Sequence, residues 1–406
     1  MACLPACGLD QPIAPPRLTV AEVLRAALPD YAATHRLPAH QWKILNALLA
    51  CRTARLGGHV YRCLDCGAEH FVPHSCRNRH CPACQRALAE DWLKQQEAQL
   101  LPVPYFHVVF TLPHLLNPLL QQNQRVLYNL LFQAASQTLL TFGEERFHAQ
   151  VGVTAVLHTW SQTLGDHYHL HCLVTGGGWD EEHGRWQSAS RHYLFPVQAL
   201  SAVFRGKYLD GLQRLFERGE LEFHGKLEAL AAPANFTQLL GDCRRRSWVV
   251  YSKRPFAGPA QVLRYLSRYT HRIALGASRL RALDEEAHTV TFAYKDYADG
   301  AQTKTMTLSL DEFTRRFLLH LLPARFVKIR HYGLLGNRGR AARLAAVRAT
   351  FGVATPAPPD LAGPAIAAEP AAAEPGCSPG RCPHCGSPRR ELLRVVQPGT
   401  WRLDSS

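Results

Sequence analysis

No apolar run in the 406 residues approaches the length of a membrane-spanning helix, and the opening stretch MACLPACGLDQPIAPP lacks the charged-then-apolar layout of a secretion signal. These absences predict a soluble, intracellular chain with no membrane partner. Acidic residues are also in deficit, with 32 Asp plus Glu against 46 Lys plus Arg, a formal charge of +14 and a pI near 9.4. That imbalance favours polyanionic partners. No internal repeat is visible, and the length leaves room for two or three domains with at least one core that folds without disulfide staples.

Cysteine is plentiful by contrast, at 13 residues. In a chain without an export signal these are metal ligands or buried thiols before they are a disulfide framework. Cys63-x2-Cys66 and Cys81-x2-Cys84 are two pairs fourteen residues apart. Each loop can present two thiolates to one ion, so the spacing predicts a single structural Zn2+ held by Cys63, Cys66, Cys81 and Cys84. Burial alone gives no reason for paired spacing. Cys76 and His80 lie within the same segment and could replace one ligand or serve a second ion. Arg77, Arg79 and Arg86 flank the cluster and suit phosphate contacts. Near the other end, Cys382-Pro-His-Cys385, with Cys377 nearby, offers one further pair that could form a second zinc knuckle, which the spacing leaves unassigned.

Residues 20–50 carry apolar side chains at helical spacing, among them Val23, Leu24, Ala27 and Leu28, then Trp42, Leu45, Leu48 and Leu49. From Tyr105 the pattern alternates between types. YFHVVFTLP, Gly152 to Trp160 and Tyr168 to Val174 read as strands, and Leu116 to Phe142 as a helix. HTVTFAYKD and KTMTLSL flank Asp299-Gly300 as a hairpin, and DEFTRRFLLHLL reads as a helix stopped before Pro323. The fold class is therefore α+β. Gly352 to Gly380 is rich in Ala, Pro and Glu and reads as a linker.

Two patterns carry chemistry. In DHYHLHCLVTGGG, strand alternation puts His169 and His171 on one face and turns Leu170 and Cys172 to the other. Two imidazoles on a rigid strand are half of a divalent-metal site. His158, Gln162, Asp166 and His167 are near enough in sequence to complete it, and spacing does not choose among them. In GPAQVLRYLSRYTHRIALG, a helix would place Val262, Leu266 and Ile273 in an apolar stripe. Tyr265 and Tyr269 would lie along its edge, with Arg272, Arg268 and Arg264 beyond. A phenol between core and basic stripe could attack a phosphate gripped by the arginines. The same placement is also that of ordinary amphipathic packing tyrosines.

The ordered blocks SCRNRHCPACQ, AVLHTWSQTLGDHYHLHCLVTGGG, YLSRYTHRIAL, YKDYADG and RRFLLHLLPARFVKIRHYGLL span about residues 40–340. Through them the chain resembles the insertion-sequence-91 type of transposase, a two-tyrosine member of the HUH endonuclease superfamily. Tyr168 departs from the proline expected there. The resemblance implies a central antiparallel sheet with flanking helices and a small N-terminal helical and zinc-ribbon part. It implies that His169 and His171 bind a catalytic Mg2+ or Mn2+ and that Tyr265 and Tyr269 are paired nucleophiles. Single-stranded element ends would be cut and rejoined through a 5′-phosphotyrosine, with the protein at the nucleoid in the cytoplasm. The expected division is a DNA-binding zinc domain at 1–100, the catalytic domain at 101–345, a linker at 346–380 and a tail at 381–406. Arg77, Arg79, Arg264, Arg268 and Arg272 would contact DNA. The competing readings are a non-catalytic zinc-ribbon DNA-binding protein, a metal-dependent hydrolase of small molecules, and a replication relaxase with the same chemistry.

Overall fold

The computed structural model describes residues 18–190, 193–253, 263–264, 274–354 and 380–399. Its centre is an antiparallel sheet built from β3 (Tyr105–Thr111), β4 (Gln150–Trp160), β5 (Asp166–Asp180), β6 (Arg185–Ser188), β7 (Val250–Lys253) and β11 (Ile329–Gly333). The strand order is β11-β4-β5-β3-β7, and β6 extends the far end of β5. β4 and β5 lie at the middle and are the longest strands. β5 can continue past its own glycines because Gly177 has φ +140°, and a Cβ there would lie 2.3 Å from the Gln187 carbonyl oxygen. Glycine lets β6 close onto β5 at that point.

Alternation along β5 divides the molecule. Tyr168, Leu170, Cys172 and Val174 enter the largest core with Val108 and Phe110 of β3. That core is covered by α5 (Gln124–Phe147) and α6 (Val197–Glu217) through Leu127, Leu131, Phe132, Phe204 and Tyr208. The expected helix from Leu116 is interrupted at Asn123, which separates a short helix, Asn117–Gln122, from α5. Tyr168, where proline was expected, is fully buried with its ring centroid 5.8 Å from that of Tyr128, so the departure is a packing substitution. On the opposite face, Tyr105 and Leu173 join Leu263, Leu334, Leu344 and Val347 in a smaller cluster.

The N-terminal helices α1 (Val20–Thr34) and α2 (Ala39–Ala50) replace the single helical stretch, with Pro38 directly before α2. Thr19 and Glu22 form a capping box that starts α1, each satisfying a backbone N–H of the other's residue. The helices do not form a core of their own. Val23, Leu24, Ala27, Leu45 and Leu48 pack with Phe292, Leu310, Phe313 and Phe317. Those residues belong to the hairpin β9 (Thr289–Asp296) and β10 (Gln302–Ser309) and to the helix Leu310–Leu319 that follows. A third sheet joins β1 (Gly58–Cys63) to β2 (Glu69–Pro73) on one side and to β12 (Arg390–Val396) on the other. Through β12 the segment 380–399 is thus joined to the N-terminal sheet. No helix among the described residues is long and apolar enough to cross a membrane.

Candidate metal centres and DNA site

The sheet register completes what the sequence pattern began. His158 of β4 stands directly opposite His169 of β5, and His171 follows two residues on along the same face. His169 Nε2 lies 3.0 Å from His171 Nε2, which lies 3.0 Å from His158 Nδ1. An octahedral ion about 2.1 Å from each donor sets adjacent donors about 3.0 Å apart, so His171 stands at the spacing of adjacent ligands to both His169 and His158. Of the histidine and aspartate candidates for a third ligand, His158 joins the cluster and Asp166 and His167 do not. Asp166 accepts from Gln121 Nε2 at 2.7 Å, and the His167 carbonyl accepts from His169.

The protonation pattern suits coordination. All three imidazoles are buried, and burial holds His158 and His171 well below the ordinary histidine pKa and His169 down to about 3. They are neutral at pH 7, with lone pairs to offer. A carbonyl can only accept, so His169 Nδ1–H donates to His167 O at 3.0 Å and Nε2 is left as the lone pair facing the cluster. His171 presents its Nε2 lone pair when Nδ1–H donates to His107 Nε2, 2.8 Å away on β3. His107 is itself pushed down to about 4 by burial. Lys328, which stacks over Trp160 at 4.9 Å, is lowered by burial to about 7 and acts electrostatically on His158.

The cysteines are grouped differently from the expected Cys63, Cys66, Cys81 and Cys84 set. Cys81 and Cys84 meet Cys51 and Cys76, while Cys63 and Cys66 face Cys382 and Cys385. In the first quartet the Sγ separations are 3.4 Å for Cys51–Cys84, 3.5 Å for Cys51–Cys81 and 3.7 Å for Cys76–Cys84. A tetrahedral ion with Zn–S near 2.3 Å requires about 3.8 Å between sulfurs, so this donor set fits zinc. The physical reason for the regrouping is the β1–β2 hairpin, which carries the Cys63 loop away from the helix end that presents Cys51. Cys51 had no x2 partner to mark it.

His80 is not in either quartet. Its Nδ1–H donates to Asn78 Oδ1 at 3.1 Å, and its Nε2 accepts from Leu322 N–H at 3.1 Å. Burial lowers it to about 3, so it is a neutral tie between the cysteine segment and the chain after the helix Leu310–Leu319. Arg79 is likewise occupied: its guanidinium donates to the carbonyls of Pro323 and Phe326. Two of its five N–H donors thus tie the cysteine segment to the chain after the helix Leu310–Leu319. Arg77 is exposed, and Arg264 is exposed with its Nε 3.5 Å from Glu97. Tyr265, Tyr269, Arg268 and Arg272 lie outside the described residues.

Comparison with known proteins gives a consistent set of relatives. Residues 23–112 match a family described as "Transposase zinc-binding domain", and residues 152–342 match one described as "Putative transposase". The first match contains the whole Cys51–Cys84 quartet and the second contains the histidine trio. The chain is 43% identical over 369 residues to "Putative transposase y4qJ" of Sinorhizobium fredii, covering 90% of this chain and 92% of that one. It is 30% identical over 316 residues to the transposase for insertion sequence element IS801 of Pseudomonas savastanoi pv. phaseolicola, covering 77% and 75%. Among solved structures, conjugative relaxase TrwC in complex with OriT DNA aligns over 63% of this chain and 96% of that one, with 11% identity and a TM-score of 0.25. On the strength of the sequence relatives, the chain belongs to the insertion-sequence-91 family of transposases, DNA-acting enzymes that carry a zinc-binding domain.

Proposed function

We propose that this transposase cuts and rejoins single-stranded DNA at the ends of its element by forming a 5′-phosphotyrosine with Tyr265 and Tyr269 in turn. The observation that carries the reading is the trio of neutral, converging imidazoles at His158, His169 and His171. These residues would hold a divalent cation, which when bound polarises the scissile phosphate and offsets charge developing on it. Of the two ions expected, Mn2+ is the transition metal and accepts imidazole donors more readily than Mg2+.

In the forward step the phenol oxygen forms a bond to phosphorus, the bond to the 3′-oxygen breaks, and the departing strand takes up a proton as a free 3′-hydroxyl. A phenol ionises near pH 10, so its proton must leave as the bond forms. The second tyrosine receives a second strand end, and reversal of the step by a 3′-hydroxyl rejoins DNA. Arg264, Arg268 and Arg272 would grip neighbouring phosphates. Arg77, on a module held by zinc at Cys51, Cys76, Cys81 and Cys84, would add a backbone contact to DNA.

The test is incubation of purified protein with labelled single-stranded DNA containing element ends, with Mn2+ or EDTA, followed by a denaturing gel. A slow, protease-sensitive band should require metal and vanish in the Tyr265→Phe/Tyr269→Phe variant. Binding without such a band across many end sequences would favour a non-catalytic DNA-binding protein.

A further inference from the structure

The second cysteine quartet draws its ligands from opposite ends of the chain. Cys63 and Cys66 leave β1, whereas Cys382 and Cys385 precede β12, and β12 pairs antiparallel with β1 from Gly58↔Val396 to Cys63↔Arg390. The Cys63 Sγ is 3.5 Å from that of Cys385, 322 residues away, and the Cys66 Sγ is 3.6 Å from that of Cys382, 316 residues away. All four sulfurs lie within 4.8 Å of one another.

The two loops have the same construction. One reads Cys63-Leu-Asp-Cys66-Gly67 and the other Cys382-Pro-His-Cys385-Gly386. Each glycine has a left-handed backbone, with φ +71° and +76°, and each donates its N–H to the carbonyl of the first cysteine, at 3.0 and 2.9 Å. This turn brings both thiols of a Cys-x2-Cys pair to one side, and two copies facing each other make a tetrahedral cage. One cysteine of each pair, Cys63 and Cys382, is buried at the base while the other is exposed. The loops are also tied directly. Leu64 N–H donates to Arg389 O at 3.0 Å, and Asp65 accepts from Ser387 Oγ and from Arg389 Nη1, the latter at 2.9 Å.

We infer that Cys63, Cys66, Cys382 and Cys385 form a second tetrathiolate zinc site, completed only when the C-terminal segment docks on the N-terminal sheet. The family match at 23–112 stops far short of Cys382, so the zinc-binding domain as matched holds half of this site. Four thiolate donors at separations near those of a tetrahedral Zn–S4 centre select zinc over hard ions such as Mg2+. Occupancy would hold the tail to β1 independently of the catalytic centre.

Cobalt substitution tests this in the full-length protein, because Co2+ in tetrathiolate sites gives intense absorption that a histidine site does not. The intact chain should take up about two equivalents of thiolate-type Co2+. Cys382→Ser/Cys385→Ser and Cys63→Ser/Cys66→Ser should each reduce this to about one, and combining them should remove no more. In the zinc-loaded tail variant, Cys63 and Cys66 should become open to alkylation while Cys76 and Cys84 stay protected. Cys385→His should retain the ion with a shifted spectrum, which covers the case in which a double variant disturbs folding. Two equivalents persisting in the tail variant would overturn the inference. So would disulfides linking these cysteines in protein purified under reducing conditions.

Discussion

The histidine trio and the cysteine quartets both gather donors to a point, but on different supports. The trio stands on the two central strands, where β4 and β5 fix the rings whether or not an ion is present, and its donors are neutral. The quartets stand on turns and helix ends, and four thiolates brought together repel one another until a cation joins them. The difference teaches that the sheet alone arranges the first set of donors, whereas the others would need a bound ion to hold them. Losing the ion should cost the trio its chemistry and the quartets their shape.

The sharpest way to break that contrast is His171→Ala. Covalent adduct formation should fall by about three orders of magnitude, the scale of several kcal/mol of lost charge stabilisation. The melting temperature should move little, and a loss of folded protein equal to the loss of activity would erase the distinction. Next in size is Cys76→Ser/Cys84→Ser, which should release about one zinc per chain and open α2 and the segment after it to proteolysis while the central sheet stays protected. Hydrogen exchange distinguishes the two regions. His107→Ala should leave both quartets loaded and weaken metal binding at the trio by about 10- to 100-fold, because His171 would lose the partner that fixes its tautomer. Titration calorimetry with Mn2+ measures it.

Acidification gives the smallest and most graded effect. His80 and His320 are held neutral by burial, at about 3 and about 4, whereas the unfolded chain protonates them near 6.5. The unfolded state therefore binds more protons in that interval. Stability contributed by these groups is present above pH 6.5 and is lost as the pH falls towards 4. Denaturation midpoints should decline over that window, and His80→Gln should flatten part of the decline.

Much of the fold was legible because its signals are local. The alternation in YFHVVFT and DHYHLHCLV, the Asp299-Gly300 turn and the DEFTRRFLL helix all depend on neighbours within a few residues, and each appears where expected. His169 and His171 were found for the same reason. His158 was only one of four candidates, because its partnership with His169 is a matter of strand register, which no spacing within one strand contains. The cysteine pairs show the same limit. The x2 spacing identified the pairs correctly, but proximity in sequence joined the wrong two. The β1–β2 hairpin and a strand more than 300 residues away decide the partners. The bonds from Arg79 to Pro323 and Phe326 were likewise out of reach, because those acceptors are remote in the chain.

The pairing of β12 with β1 also sets an order in time. β1 leaves the ribosome early with one edge covered by β2 and the other bare, and it stays so until the chain has been made to about residue 396. Through that interval Cys63 and Cys66 hold half a cage and a row of unpaired backbone groups is open to other strands. A translation product broken anywhere before Cys382 keeps that edge for good. Closure of the N-terminal sheet therefore waits on a segment made more than 300 residues after it.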